Sequence, residues 1–272
     1  MRKLACNLAV VCLASLLIFR PGSTLSAGGP GNTHAFALHS TACECCIPPT
    51  PISLQAIAEE RARRAIQQTE VLLQNVRETS YAELCGTEIG VRTFHSSSDY
   101  FRTRVSLSHY LTFRKMQFFL EINPLVFELK APDDAVKAII AHELEHILYL
   151  SQRNRIKMFS LMRLAAPGFT VRFERRADLG AIGRGYGPGL IVYRQWLYQN
   201  IPRGVLAEKR RDYFSPEEIS AIQLILRDRP QKLAYWLKHV PRNLEDIRRS
   251  AGGVGAALRG RPNCADKRST SH

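Results

Sequence analysis

Apolar residues recur along this chain with two different periods. In "SLQAIAEERARRAIQQTEVLLQNVRET", Leu54, Ala58, Ala65, Leu72 and Val76 fall near one face of a helix, with arginines and glutamines opposite. This predicts an amphipathic helix packed on the domain, with Ser53 as its N-cap. The period then changes to two. In "YFRTRVSLS", Phe101, Thr103, Val105 and Leu107 share one face while Arg102 and Arg104 share the other, the pattern of a half-exposed strand. "MQFFLEI" and "LVFEL", separated by Asn123 and Pro124, read as two more short strands. Helical spacing returns after Pro132, with Asp133 and Asp134 in a first turn where carboxylates suit the positive helix end. The chain reads as helical again from Phe173 to the "GRGYGPG" glycine loop, and "SPEE" from Ser215 to Glu218 is a capping box opening another helix. Strands followed by several helices predict an α+β domain over residues 52–252.

The helix after Pro132 carries the chemistry. In "KAIIAHELEHILYL", Val136, Ile140, Leu144 and Leu148 form an apolar stripe, and His142 lies about 200° from its neighbours in that stripe. His146 follows one turn later on the same side, with Glu143 beside the pair. Two imidazoles at i and i+4 can share one Zn²⁺ while the intervening glutamate activates its water. Catalytic zinc usually takes a third protein ligand. The next acid downstream is Glu174 in "FERRADLGAIGRGY", on a helix where Ala177, Gly180 and Ala181 are small enough for close packing. Asp178, one turn on, can accept a hydrogen bond from the far ring nitrogen of a ligand histidine and so fix its tautomer. Tyr186 is a candidate for stabilising an oxyanion.

"AHELEH" followed by "FERRAD" resembles the gluzincin group that includes the HtpX heat-shock peptidases and the CAAX prenyl endopeptidases. "INPLVFELKAPDDAVKAIIAHELEH" is similar to the strand, short loop and acidic helix start that precede the motif in that family. The resemblance covers roughly residues 117–248. It implies a zincin-like fold, with short strands ahead of an active-site helix, a glutamate-bearing helix and a helical C-terminal part. It further implies His142, His146 and Glu174 as zinc ligands, Glu143 as general base and Asp178 as support for a ligand histidine. "HVPRNLEDI" is similar to the family's "HP…ERI" ending, which makes His239 a second candidate for assisting the transition state. Two positions depart from the family: Val240 separates His239 from Pro241, and Glu145 stands where a glycine is common. The family's multiple membrane spans are absent, which implies its soluble exported branch.

The ends of the chain bear on compartment. Arg2 and Lys3 precede an uncharged apolar run from Leu4 to Phe19, and small residues follow in "STLSAGG". This is the layout of a secretory signal peptide over residues 1–28; an uncleaved membrane anchor is the other reading of the same run. The chain carries +14, and loss of Arg2, Lys3 and Arg20 with that segment leaves +11. The basic residues are scattered, without a nucleic-acid motif, and allow weak attraction to an anionic envelope surface. Residues 29–51 read as a Cys/Pro-rich arm. Beyond the signal segment lie Cys43, Cys45, Cys46, Cys85 and Cys264. Disulfides suit an oxidising compartment, and "CECC" near His34 and His39 could alternatively hold a soft metal. The tail over 253–272 is expected to be disordered.

Together these features predict an exported zinc metalloendopeptidase acting on protein or peptide substrates. Two other classes share part of the pattern: a proteolytically silent zinc-bearing envelope chaperone or scaffold, and a basic module binding anionic envelope polymers.

Overall fold

The computed structural model describes residues 53–106, 108–109, 115–153 and 167–252. The expected signal peptide, the Cys/Pro-rich arm with Cys43, Cys45 and Cys46, the tail with Cys264, and Leu107 lie outside the described residues. Among the described residues, no helix is long and apolar enough to cross a membrane. Cys85 is exposed and, among the described residues, free.

The architecture is mixed α+β: a small sheet and a majority of helices. Helix α1 (Leu54–Ser80) starts where the Ser53 side chain accepts from the Ala56 N–H, and buries Ala65, Thr69, Leu73 and Val76. A single 3₁₀ turn (Ala82–Leu84) then leads into strand β1 (Glu88–Thr93). Strands β2 (Phe101–Val105) and β3 (Gln117–Ile122) complete a three-stranded sheet of order β1-β3-β2. β3 runs parallel to β1 and antiparallel to β2, with Thr103 opposite Leu120 and Arg102 opposite Glu121. β1 escaped the period-two reading because its residues are exposed or half-buried, with no clean alternation, and Gly90 interrupts it.

The expected strand "LVFEL" is instead a single helical turn, α2 (Leu125–Glu128). A short apolar run is ambiguous by periodicity alone, and here its flanks decide. Pro124 already has helical backbone angles, the Asn123 side chain accepts from the Leu125 N–H at 3.2 Å, and Lys130 ends the turn at φ 52°.

The remaining elements are α3 (Asp133–Ser151), α4 (Pro167–Gly183), α5 (Gly187–Asn200), α6 (Arg203–Asp212), α7 (Pro216–Asp228), α8 (Lys232–Lys238) and α9 (Leu244–Gly252). The capping box at Ser215 and Glu218 forms as its sequence predicts. Helix α4 begins earlier than Phe173, where the sequence pattern first becomes helical.

Helix α3 is the centre of the molecule. Its stripe of Val136, Ile140, Leu144 and Leu148 is buried, and so are His142, Glu143 and His146 on the opposite side. It packs on α1, β2, α4 and α5. Tyr81, also fully buried, donates its hydroxyl to the Ala141 carbonyl at 2.7 Å and fixes the backbone just ahead of His142.

The crossing of α3 and α5 depends on Gly189. A Cβ there would stand 2.4 Å from the Asp134 carbonyl oxygen and 2.7 Å from the Ala138 Cβ. Backbone cannot yield as a side-chain tip can, so Gly189→Ala should cost about 1–3 kcal/mol of stability. Gly204 in α6 has nothing within 4 Å of its Cβ position. Gly204→Ala should be neutral or stabilising by up to about 1 kcal/mol, the helix-propensity difference. Urea denaturation of both variants checks the contrast, and equal midpoints would refute the close crossing.

Candidate metal centre

Three donor atoms converge between α3 and α4. His142 Nε2, His146 Nε2 and Glu174 Oε2 form a triangle with all three edges at 3.1 Å. His142 and His146 sit one turn apart on α3 with their rings nearly perpendicular, at 88°. Glu174 reaches them from α4. All three side chains are buried, and the group could hold a metal ion.

The small residues of α4 allow this approach. Gly180 lies so near Glu145 of α3 that a Cβ would fall 2.2 Å from its carboxyl. The room for the Glu145 side chain therefore comes from the facing helix, which carries no side chain at Gly180. Glu145 accepts from Arg184 Nε at 2.8 Å, and Arg184 also donates to Glu83 and to the Ser80 carbonyl. This network braces α1, α3 and α4 together beside the donor triangle.

Asp178 holds His142 from behind. His142 Nδ1 donates to Asp178 Oδ1 at 2.8 Å, which leaves the Nε2 lone pair aimed at the triangle. The same Oδ1 accepts from Arg194 Nη2 at 2.8 Å, and Oδ2 accepts from the Phe214 N–H at 3.1 Å. Burial would push the Asp178 carboxyl up, but the Arg194 charge, the His142 bond and the Phe214 N–H hold it below its ordinary range. On the other side of the site, the Phe173 ring stacks on His146 at 4.3 Å and 21°.

The electrostatics are those of a cation site. Burial pulls the His142 imidazole down, yet its bond to Asp178 and the charges of Asp178 and Glu174 prevail and push it up to about 10. Burial likewise raises the Glu174 carboxyl, and both histidines outweigh it, holding the group well below its usual range. Two imidazole nitrogens and a carboxylate oxygen this close repel one another unless positive charge lies among them, as a proton or as a metal ion. For a tetrahedral ion with ligands at about 2.0–2.1 Å, ligand–ligand edges are about 3.3–3.4 Å. The triangle fits that ion with a slight expansion.

Glu143 is buried beside the triangle without belonging to it. Its Oε2 accepts from the Thr103 hydroxyl at 2.8 Å, which ties the helix to β2. The structure does not bring Tyr186 or His239 to this group. The Tyr186 hydroxyl lies 3.0 Å from that of Ser80, and His239 is exposed at the end of α8 with its ring against Tyr235.

Arg194, Thr103, Phe173 and Tyr213 escaped the sequence reading. Arg194 had a signal: it is the one charge within the apolar "LIVYRQWLY" of α5, the same anomaly that marked the histidine helix. Thr103 was visible only as a hydroxyl on an otherwise apolar strand face. Phe173 and Tyr213 carry no local signal, because their positions depend on how α4 and α6 pack.

No protein-family model, curated protein or solved structure matches this chain.

Protonation of the site yields a prediction. A divalent ion must displace the proton that Asp178 and Glu174 hold on His142, so binding at neutral pH should release about one proton per ion. Zinc affinity should therefore climb with pH through the neutral range. The metal-free protein behaves in the opposite sense. A histidine raised from 6.5 to about 10 contributes stability that is complete below pH 6.5 and lost as pH rises towards 10. Calorimetric zinc titrations in buffers of different ionisation enthalpy count the protons, and zero release would contradict the assignment.

Proposed function

We propose that this chain is an exported zinc-dependent endopeptidase with a zincin-like fold of the gluzincin type. The observation that carries the reading is the buried triangle of His142, His146 and Glu174 with Glu143 beside it. The donor set of two imidazoles and a carboxylate, with one coordination position left for water, is that of catalytic zinc. The apolar Leu4–Phe19 run after Arg2 and Lys3 supports export.

When bound, Zn²⁺ lowers the pKa of a water ligand to about 7 and polarises a carbonyl. The chain's own residues supply the rest. The Thr103 hydroxyl holds one oxygen of the Glu143 carboxylate, and the other oxygen, Oε1, makes no hydrogen bond within the fold among the described residues. Oε1 takes a proton from the attacking water as the water oxygen bonds to the scissile carbon. The same carboxyl then gives that proton to the amine nitrogen as the C–N bond breaks, leaving a free amine and a carboxylic acid, whose own proton (the second of the attacking water) passes to solvent or to the amine at neutral pH. Asp178 keeps the proton of His142 on Nδ1 throughout.

β2 stands at one end of the sheet order and carries Thr103 against Glu143. A peptide added along its outer edge would lie in extended form beside the base.

Glu143 and Glu174 should behave differently. Glu143→Gln should retain zinc and fold while kcat falls by about 10²–10⁴-fold, the usual contribution of a general base. Glu174→Gln should lose zinc, because an amide oxygen leaves the ion's charge less neutralised. Metal analysis, circular dichroism and peptide-library digestion on the same preparations test both. Wild-type protein purified without chelators and still free of zinc would rule the reading out, as would zinc retained by Glu174→Gln and lost by Glu143→Gln.

A further inference from the structure

Tyr186 and His239 lie away from the donor triangle, but another tyrosine lies against it. Tyr213 follows the last residue of α6, and three contacts aim its ring. The ring centroid is 5.8 Å from that of His142. The Arg194 guanidinium, already bonded to Asp178, lies 4.3 Å from the centroid over the ring face. The next residue, Phe214, anchors the backbone by donating its N–H to Asp178 Oδ2. The carboxylate that fixes His142 therefore also fixes Tyr213 beside it.

The hydroxyl has no structural employment. Tyr213 is half-buried, and among the described residues its O–H makes no hydrogen bond within the fold. Burial holds its phenol well above the ordinary range, with the charges of Glu174, Glu143 and Asp99 adding to the rise and Arg194 opposing it, so the group stays protonated and able to donate. Its ring, 5.8 Å from that of His142 and under the Arg194 guanidinium, sets the residue directly beside the donor triangle. A half-buried O–H without a partner, held by a rigid backing, is a preorganised donor.

We propose that Tyr213 is a catalytic residue whose hydroxyl donates a hydrogen bond to the scissile carbonyl oxygen as that oxygen gains negative charge. The role rests on the peptidase reading and assigns the oxyanion donor that neither Tyr186 nor His239 supplies. No bond to Tyr213 is made or broken, and its proton stays on the phenol. Arg194 acts through Tyr213 and Asp178 and is a positioning residue.

Tyr213→Phe isolates the hydroxyl, because the ring and its contacts with His142 and Arg194 remain. In the full zinc-loaded protein, kcat should fall by about 10²–10³-fold with KM little changed, as for loss of one oxyanion donor. Affinity for a phosphinic pseudo-peptide, whose tetrahedral centre resembles the reacting carbon, should fall by about 100-fold in calorimetry. Zinc content and the thermal midpoint should match wild type. A variant that cleaves and binds the pseudo-peptide like wild type overturns the role of Tyr213 and leaves the peptidase reading standing. A variant that loses zinc or unfolds overturns it too, since the hydroxyl would then serve structure. Zinc-loaded wild type that cleaves nothing overturns both readings together.

Discussion

The carboxylate of Asp178 is the interaction on which the site depends. Fully buried on α4, it accepts from His142 on α3, from Arg194 on α5 and from the backbone of Phe214 at the junction of α6 and α7. A buried carboxylate is costly unless its lone pairs are met, and here both oxygens are engaged. Removing one partner of such a buried ion pair typically costs about 3–5 kcal/mol, because the other charge is left uncompensated. Four segments distant in sequence are therefore held to one point by a single anion. The direction of the His142 lone pair is a consequence of that arrangement.

Charge balance explains why the arrangement suits a divalent ion. Arg194 offsets Asp178, and Arg175 is separately paired with Glu218 at 3.1 Å. Glu174 and Glu143 then remain as the uncompensated anions beside two imidazoles that are neutral when they ligate. A dication meets that residual charge, whereas one proton on His142 meets only half of it. A group of this charge, buried among apolar neighbours, could therefore hold a divalent ion.

The sequence showed the ligands because their signal is local. Ionisable residues at helical spacing within an apolar run are improbable in a core unless they share a partner, which marks His142, Glu143 and His146. Glu174, set among arginines, stood out only as the next acid downstream with Asp178 one turn on. The helices with strong caps, at Ser53 and Ser215, were legible for equally local reasons. What was hidden is tertiary. Whether "LVFEL" became a strand or a turn of helix was decided by Asn123 and Lys130 at its ends. Tyr213 lies against the site through His142, Arg194 and the bond of Phe214 to Asp178, contacts between residues far apart in the chain. The placement of Tyr186 and His239 has the same cause: both sit near suggestive sequence, but packing sets the Tyr186 hydroxyl against Ser80 and the His239 ring against Tyr235.

The burial of α3 on every side joins stability to chemistry. A helix that is buried all round is the centre of a domain, and α3 places core residues and donor atoms on alternate faces of the same turns. Ile140 and Leu144 in the core flank His142 in the sequence, so a shift in core packing moves the donor atoms with it. Tyr81 adds to this by bonding the carbonyl of Ala141, and Thr103 does so by bonding both the carbonyl and the carboxylate of Glu143. The sheet is small, yet through Thr103 it sets the position of Glu143 beside the donor triangle. Among the residues around the donor triangle, Glu143 alone gains its orientation from β2. The strand that would seat a peptide is thus also the strand that aims the base, so that seating the substrate and aligning the proton acceptor rest on one element.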